Sequence, residues 1–114
     1  MEQTMSIEIN GQVIETDSQG YLCHLTDWNE TLANALAAKD GVTLSADHWE
    51  IIHLIRDYYT ETGKAPAVCV IIRQAKKHLG DDKGNSKHVY NLFPDGPGKQ
   101  GVRYAGLPKP TGCL

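Results

Sequence analysis

Three cysteines are the residues of this chain best suited to covalent chemistry: Cys23, Cys69 and Cys113. An odd number cannot pair completely within one chain, and in a reducing compartment all three are expected as thiols. Cys23 lies in the apolar run Tyr21-Leu22-Cys23-His24-Leu25, which predicts burial. Cys69 falls about 100° from the centre of an apolar helical stripe, close to Arg73 and Lys76, which predicts a half-buried structural thiol. Cys113 is different. It is the second-to-last residue, between Gly112 and Leu114, and chain ends are seldom buried. An exposed terminal thiol is a liability unless it is used. Gly112 removes side-chain bulk and lets the backbone turn, while Pro108 and Pro110 stiffen the approach. Ten extended residues reach roughly 30 Å, enough to carry one sulfur into another protein's cleft. The chemistry this arrangement suits is thiol exchange, with the thiolate as nucleophile. The competing reading is a disordered tail that happens to end near a cysteine.

Other chemistry is less well supported. There is no Cys-x-x-Cys and no histidine pair at ligand spacing, and the single Cys23-His24 pair is not a site, so no metal is expected. Gly96-Pro97-Gly98-Lys99-Gln100-Gly101 is glycine-rich, but a phosphate loop needs Gly at position 93 and Ser or Thr at position 100. Phe93 and Gln100 stand there, and no cofactor is expected. Helices over 45–62 and 66–79 joined by a short turn suggest a helix-turn-helix DNA binder, with Arg73, Lys76, Lys77, Lys83 and Lys87 on phosphates. The pI of about 5.9 argues against it, as does the lack of evident base-reading side chains. A face that docks an acidic partner is favoured.

The elements that must position these residues are legible from pattern. Ser6-Ile7-Glu8-Ile9 and Gln12-Val13-Ile14-Glu15 flank Asn10-Gly11, a strong hairpin signal. Thr26 or Asp27 is expected to cap a helix to about Lys39, with Trp28, Leu32 and Leu36 on one stripe. Ser45 is the expected N-cap of a core helix through Thr62, lined by Trp49, Ile52, Ile55 and Tyr59, with Gly63 ending it. Pro66 opens a third helix whose Val68, Ile71, Ile72, Ala75 and Leu79 are amphipathically spaced. Ser86 starts a short fourth helix through Phe93. Residues 94–114 hold four of the five prolines and five of the eleven glycines, which predicts an extended, flexible arm. The expected fold is mainly α with an N-terminal β-hairpin (α+β): a small helical bundle over 1–93, with the arm over 94–114 carrying Cys113.

Bulk composition fits one soluble domain. The chain has 114 residues, 40% hydrophobic and 22% charged, which excludes collagen, disulfide-dense and disordered classes. No apolar run spans a bilayer and no secretory leader is visible, so a cytoplasmic location without membrane attachment is expected. The net charge of −3 hides a split. Residues 1–63 carry 2 Lys/Arg against 11 Asp/Glu, net −9; residues 64–114 carry 9 against 3, net +6. The basic half is expected to meet something negative, whether nucleic acid, an acidic protein face or this chain's own first half.

Several segments then resemble a known family. Asp82-Lys83-Gly84-Asn85-Ser86-Lys87, Tyr90-Asn91-Leu92-Phe93-Pro94-Asp95-Gly96-Pro97 and Ala105-Gly106-Leu107-Pro108-Lys109-Pro110-Thr111-Gly112-Cys113 are similar to the DsrC/TusE sulfur-carrier family. Tyr21-Leu22, Asp27-Trp28-Asn29, His48-Trp49 and Arg56-Asp57-Tyr58-Tyr59 extend the likeness over nearly the whole chain. The resemblance implies a helical domain with a hairpin and a mobile arm whose penultimate cysteine, Cys113, carries sulfur as a persulfide. In the DsrC branch a second cysteine lies ten residues earlier, where this chain has Arg103. A single-cysteine arm looks TusE-like. That branch implies sulfur taken from a TusBCD-like donor complex and passed to an MnmA-like tRNA 2-thiouridylase. The alternative implied partner is sulfite reductase or another sulfur-oxidation enzyme. Arg73, Lys76, Lys77, Lys83, Lys87, Arg103 and Lys109 are the expected docking cations, and no general base is nominated.

Overall fold

A computed structural model describes residues 5–9, 11–17 and 20–108. Strands β1 (Met5–Ile9) and β2 (Gln12–Thr16) are antiparallel, with Ile9 opposite Gln12, so only positions 10 and 11 join them. Gly11 has φ +79°, the left-handed conformation that a two-residue hairpin turn asks of its second residue. Side chains alternate as a pleated strand requires: Ile14 and Thr16 are buried, while Val13 is 65% exposed. Thr16 bridges to Leu22, and the Cys23 amide donates to the Glu15 carbonyl at 3.1 Å. Leu22 is buried on this bridge, and Cys23 is exposed. The apolar run had predicted burial for Cys23, but alternation about the bridge turns it outward.

Helix α1 (Glu30–Lys39) starts two to three residues later than the expected cap at Thr26 or Asp27 predicts. Its N-cap is Asn29, whose side-chain oxygen accepts from the Leu32 amide at 2.8 Å. Trp28 therefore lies outside the helix and serves another purpose. Helix α2 (Ala46–Thr62) is capped at Ser45 and stopped at Gly63, as expected. His48 closes the cap reciprocally: its Nδ1 accepts from the Ser45 amide at 3.0 Å, while Nε2 lies 2.9 Å from the Leu92 carbonyl. That network assigns the proton to Nε2, so one histidine fixes the start of α2 and the end of α4 (Ser86–Leu92).

Helix α3 (Val68–Leu79) begins two residues after Pro66, with Ala67 at the cap. Ile51, Ile52 and Ile55 of α2 are at most 1% exposed. They form the core with Leu32 and Leu36 of α1, Ile71 and Ala75 of α3, and Val89 and Phe93. The connector from α3 to α4 is held by close approach. A Cβ on Gly84 would lie 2.0 Å from the Lys76 Cα, so only glycine fits against that backbone.

The C-terminal segment departs from expectation. Pro97–Gly101 forms a π-helical turn that runs into a single α-helical turn, α5 (Val102–Tyr104). Val102, Tyr104, Ala105 and Leu107 are at most 3% exposed. The predicted arm over 94–114 is therefore core structure as far as Leu107, and residue 93 is not a structural boundary. Glycines that read as looseness are sites of tight packing. A Cβ on Gly98 would meet Val68 at 3.1 Å, and one on Gly101 would meet Ile55 at 3.0 Å.

Candidate functional site

Cys113 and Lys109 lie outside the described residues. The segment that leads up to Pro108 is described, and it is held by several independent contacts. The Trp28 indole donates to the Tyr104 carbonyl at 2.7 Å, and Arg56 Nη1 donates to the Ala105 carbonyl at 2.5 Å. The Arg56 guanidinium stacks over the Trp28 ring, 3.8 Å from its centroid, a cation–π contact strengthened by partial desolvation. Burial lowers the Arg56 pKa from its usual value, with Asp57 opposing. Gly106 has φ +73°, and its missing Cβ would lie 2.3 Å from Trp28 Cδ1. The Leu107 amide donates to the Val102 carbonyl at 3.2 Å. Together these contacts hold residues 104–107 against the body.

A second set of contacts anchors α5 from its other side. Asp40, just past the end of α1, accepts from the Tyr104 hydroxyl at 2.6 Å and also pairs with the Arg103 guanidinium. Burial, then the hydrogen bond to Asp40, raises the Tyr104 pKa well above the usual phenol value. Tyr21 reaches the Gly98 carbonyl at 3.4 Å, and its pKa is also raised, chiefly by burial. The Gln100 side-chain oxygen accepts from the Asp95 amide at 3.0 Å, closing the π-helical turn internally.

The sequence-predicted cations separate into two groups. Arg73, Lys76, Lys77 and Lys87 are exposed, the first three on one face of α3 at positions that succeed Cys69 by four, seven and eight. Lys83 instead binds Glu50 at 2.6 Å and Asp47 at 3.3 Å on α2. Those carboxylates raise the Lys83 pKa, and Lys83 in turn lowers that of Asp47. Arg103 is only 15% exposed and is held by Asp40. For these two, the partner of the basic half is the acidic first half of the same chain. Cys69 is exposed on the first turn of α3, where the stripe geometry had predicted half-burial. Trp28, Arg56 and Gly106, which hold the platform, were not among the predicted site residues. All three fall within the family-like segments Asp27-Trp28-Asn29, Arg56-Asp57-Tyr58-Tyr59 and Ala105-Gly106-Leu107, and that was the signal available.

Comparison with known proteins gives a consistent result. The family model described as "DsrC like protein" matches residues 8–114. A relative named "Sulfurtransferase TusE" from Sodalis glossinidius is 47% identical over 108 residues, covering 95% of this chain and 100% of the relative. A "Sulfurtransferase TusE homolog" from Haemophilus influenzae is 45% identical, covering 95% of this chain and 99% of its own. Among solved structures, the NMR structure of Allochromatium vinosum DsrC is 47% identical, covering 98% of this chain and all of that one, with a TM-score of 0.87. Oxidized DsrC from Archaeoglobus fulgidus, named as the gamma-subunit of the dissimilatory sulfite reductase, is 38% identical. It covers 96% of this chain and all of its own, with a TM-score of 0.84.

Proposed function

The chain belongs to the DsrC-like family, and from that premise we propose that it is a TusE-type sulfurtransferase, a carrier that holds sulfur as a persulfide on Cys113. The near-full-length identity of 44–47% to proteins named TusE supports the sulfur-relay role. The observation that carries the choice of branch is Arg103. The resemblance places the DsrC branch's second arm cysteine at this position, and here an arginine is locked onto Asp40 beneath Tyr104. The terminal segment therefore has one thiol, suited to carrying sulfur and not to closing a disulfide with position 103.

In this reading the Cys113 thiolate attacks the sulfane sulfur of a donor persulfide, giving Cys113–S–SH and releasing the donor thiol. The outer sulfur then passes to an acceptor cysteine by the same exchange, governed by thiolate fraction and access. The platform built by Trp28, Arg56 and Gly106 gives the terminal residues a fixed point of attachment. From Pro108, five residues reach roughly 17 Å, about half the span expected of a free ten-residue arm. The exposed cations Arg73, Lys76, Lys77 and Lys87, with Lys109, dock an acidic donor of the TusBCD type and a thiouridylase of the MnmA type, in the cytoplasm.

The test is incubation of the full chain with a cysteine desulfurase and the relay donor, followed by intact-mass measurement. The expected result is a gain of one sulfur that Cys113→Ser abolishes. A gain that survives this substitution overturns the reading. A second reading is favoured by one observation, the 0.84 TM-score to the A. fulgidus protein named as a sulfite reductase subunit: a trafficking partner of sulfite reductase. Co-purification with a sulfite reductase in place of a thiouridylase selects it.

A further inference from the structure

We propose that the groove between α2 and α3 is a binding site for an arginine side chain presented by a protein partner. The proposal concerns docking alone and stands whether or not Cys113 carries sulfur. The groove holds a cavity of about 200 Å³, far above the roughly 10–15 Å³ that a single water needs. Leu54, Asp57, Tyr58 and Glu61 form one wall. They stand at i, i+3, i+4 and i+7 on α2, which puts them on one stripe of that helix. Gln74 and His78, one turn apart on α3, form the other wall. Leu54 and Tyr58 continue into an apolar crevice that they share with Pro66 and Ile71.

The acidic first half of the chain neutralises part of the basic second half: Asp40 holds Arg103, and Asp47 and Glu50 hold Lys83. Asp57 and Glu61 take no part in this. Neither has an ion pair or a side-chain hydrogen bond among the described residues. Asp57 raises the Arg56 pKa against burial, but the Arg56 head is committed to the Trp28 ring and the Ala105 carbonyl. Like charges one turn apart on a helix repel, so a cation set between the two carboxylates relieves a repulsion that the described fold leaves in place. The Tyr58 hydroxyl, the Gln74 amide and the His78 ring also lack a side-chain partner among the described residues, and Tyr58 and Gln74 are half-buried. Convergent polar groups around a cavity with an apolar floor are the pattern of a specific ligand site. An arginine suits this one. Its planar guanidinium can bridge two carboxylates while lying against an aromatic ring such as Tyr58, and its aliphatic stem fits along Leu54. The adjoining face of α3 says why a protein should present it. Arg73 and Lys77 each precede a groove residue by one position, about 100° around the helix, and both are exposed. That face repels a free polyamine, whereas a protein segment can set carboxylates against it beside its arginine.

The test titrates N-acetyl-arginine methylamide into the isotope-labelled full chain at constant chloride and follows the backbone amide shifts. N-acetyl-citrulline methylamide serves as the neutral isostere, and spermidine as the free polyamine. The arginine probe is expected to shift amides of residues 54–61 and 74–78 and to bind about fivefold tighter than citrulline, the gain that two exposed ion pairs allow. Asp57→Asn combined with Glu61→Gln should remove that preference. Asp81→Asn combined with Asp82→Asn, which takes the same charge from an exposed loop, should keep it. Equal binding of arginine and citrulline overturns the proposal. So do the absence of any shift, shifts confined to other surfaces, or a preference that survives the Asp57 and Glu61 substitutions. Tighter binding of spermidine in the same groove also overturns it and assigns the site to a free polyamine. If the substituted chains unfold, the comparison of arginine with citrulline on the parent chain decides alone. No step involves sulfur, so failure here leaves the carrier reading intact, and failure of the carrier reading leaves the site in place.

Discussion

The Gly106 backbone lies so close to Trp28 that a Cβ at position 106 would sit 2.3 Å from Cδ1, 2.6 Å from Cγ and 2.7 Å from Cβ of the tryptophan. The last of these atoms is next to the Trp28 backbone, so rotating the ring cannot relieve the clash. Trp28 is also pinned by its hydrogen bond to the Tyr104 carbonyl and by the stacked Arg56. Gly106→Ala is therefore expected to cost about 2–4 kcal/mol, combining a left-handed backbone with a forced displacement. Gly41→Ala is the control, because Gly41 has a similar φ of +76° with nothing within 4 Å of its Cβ position. Its expected cost is about 1 kcal/mol, from backbone strain alone. Urea denaturation of both variants checks the difference, and equal costs would show that the contact with Trp28 is not tight. Sulfur transfer should fall in Gly106→Ala and remain in Gly41→Ala, since position 106 lies in the segment that leads to the terminal residues and Gly41 does not.

The Tyr104 hydroxyl gives a pH signature. Its folded-state pKa is raised by burial and then by Asp40, while the unfolded chain titrates near 10. Its contribution to stability is thus whole below pH about 10 and is lost as pH rises toward the folded value. Tyr104→Phe removes the hydrogen bond to Asp40 and should cost about 1 kcal/mol at neutral pH. Above pH 10 the parent should lose stability faster than the variant, by up to about 1.4 kcal/mol per pH unit. Denaturation curves from pH 7 to 11 measure the two slopes. Parallel curves would mean the hydroxyl is no harder to ionise when folded.

Much of this fold was legible because local chemistry and tertiary packing agree. The Asn10-Gly11 connection, the Ser45 cap, the Gly63 stop and the apolar stripe of α2 each need only a short stretch of sequence to be read. The misread parts are those where distant contacts decide. Trp28 sits four residues before Leu32, and the spacing looked helical, but Asn29 captures the Leu32 amide in the first turn of α1 and leaves the indole to the Tyr104 carbonyl, 76 residues away. Pro97, Gly98 and Gly101 looked like a loose arm because composition does not say what a glycine approaches. Here Gly98 and Gly101 admit Val68 and Ile55. For the proposed site, Cys113 is nominated from the sequence and lies outside the described residues, whereas the contacts of Arg56 and Gly106 were not legible, since they act through carbonyls and ring faces that leave no spacing signal.

The segment Lys83-Gly84-Asn85, quoted above as a family-like motif, is expected to act through structure and not through chemistry. Lys83 ties to Glu50 and Asp47, Gly84 touches the α3 backbone, and Asn85 accepts from the His88 amide at 2.9 Å to cap α4. Gly84→Ala would place a Cβ 2.0 Å from Lys76 Cα, so α3 and α4 must part, at a cost of about 3 kcal/mol or more. Lys83→Met should cost about 1 kcal/mol or less, because Lys83, Glu50 and Asp47 all reach water and the pairs are screened. Chemical denaturation ranks the two, and a milder effect for Gly84→Ala than for Lys83→Met would contradict the close approach.

Exposure separates cations proposed to dock a partner from cations that hold the fold, and charge reversal tests the separation directly. Arg73 and Lys77 are exposed on α3, and Lys76 has only a 4.0 Å approach to an Asp81 that is itself 86% exposed. Reversing Arg73 and Lys77 to Glu should leave stability within about 0.5 kcal/mol, as for surface sites without partners. Association with an acidic donor should slow about tenfold and become less sensitive to added salt, because steering by complementary charge is screened by ions. Arg103→Glu should do the opposite. It sets a second carboxylate against Asp40 and leaves the Tyr104 hydroxyl competing for a crowded site, so stability falls by about 2–3 kcal/mol. Any loss of donor binding in that variant should then track the unfolded fraction and vanish at low temperature. Binding kinetics at two salt concentrations, with melting curves for both variants, decide the matter. If Arg103→Glu weakens binding while keeping its melting temperature, Arg103 belongs to the docking face after all.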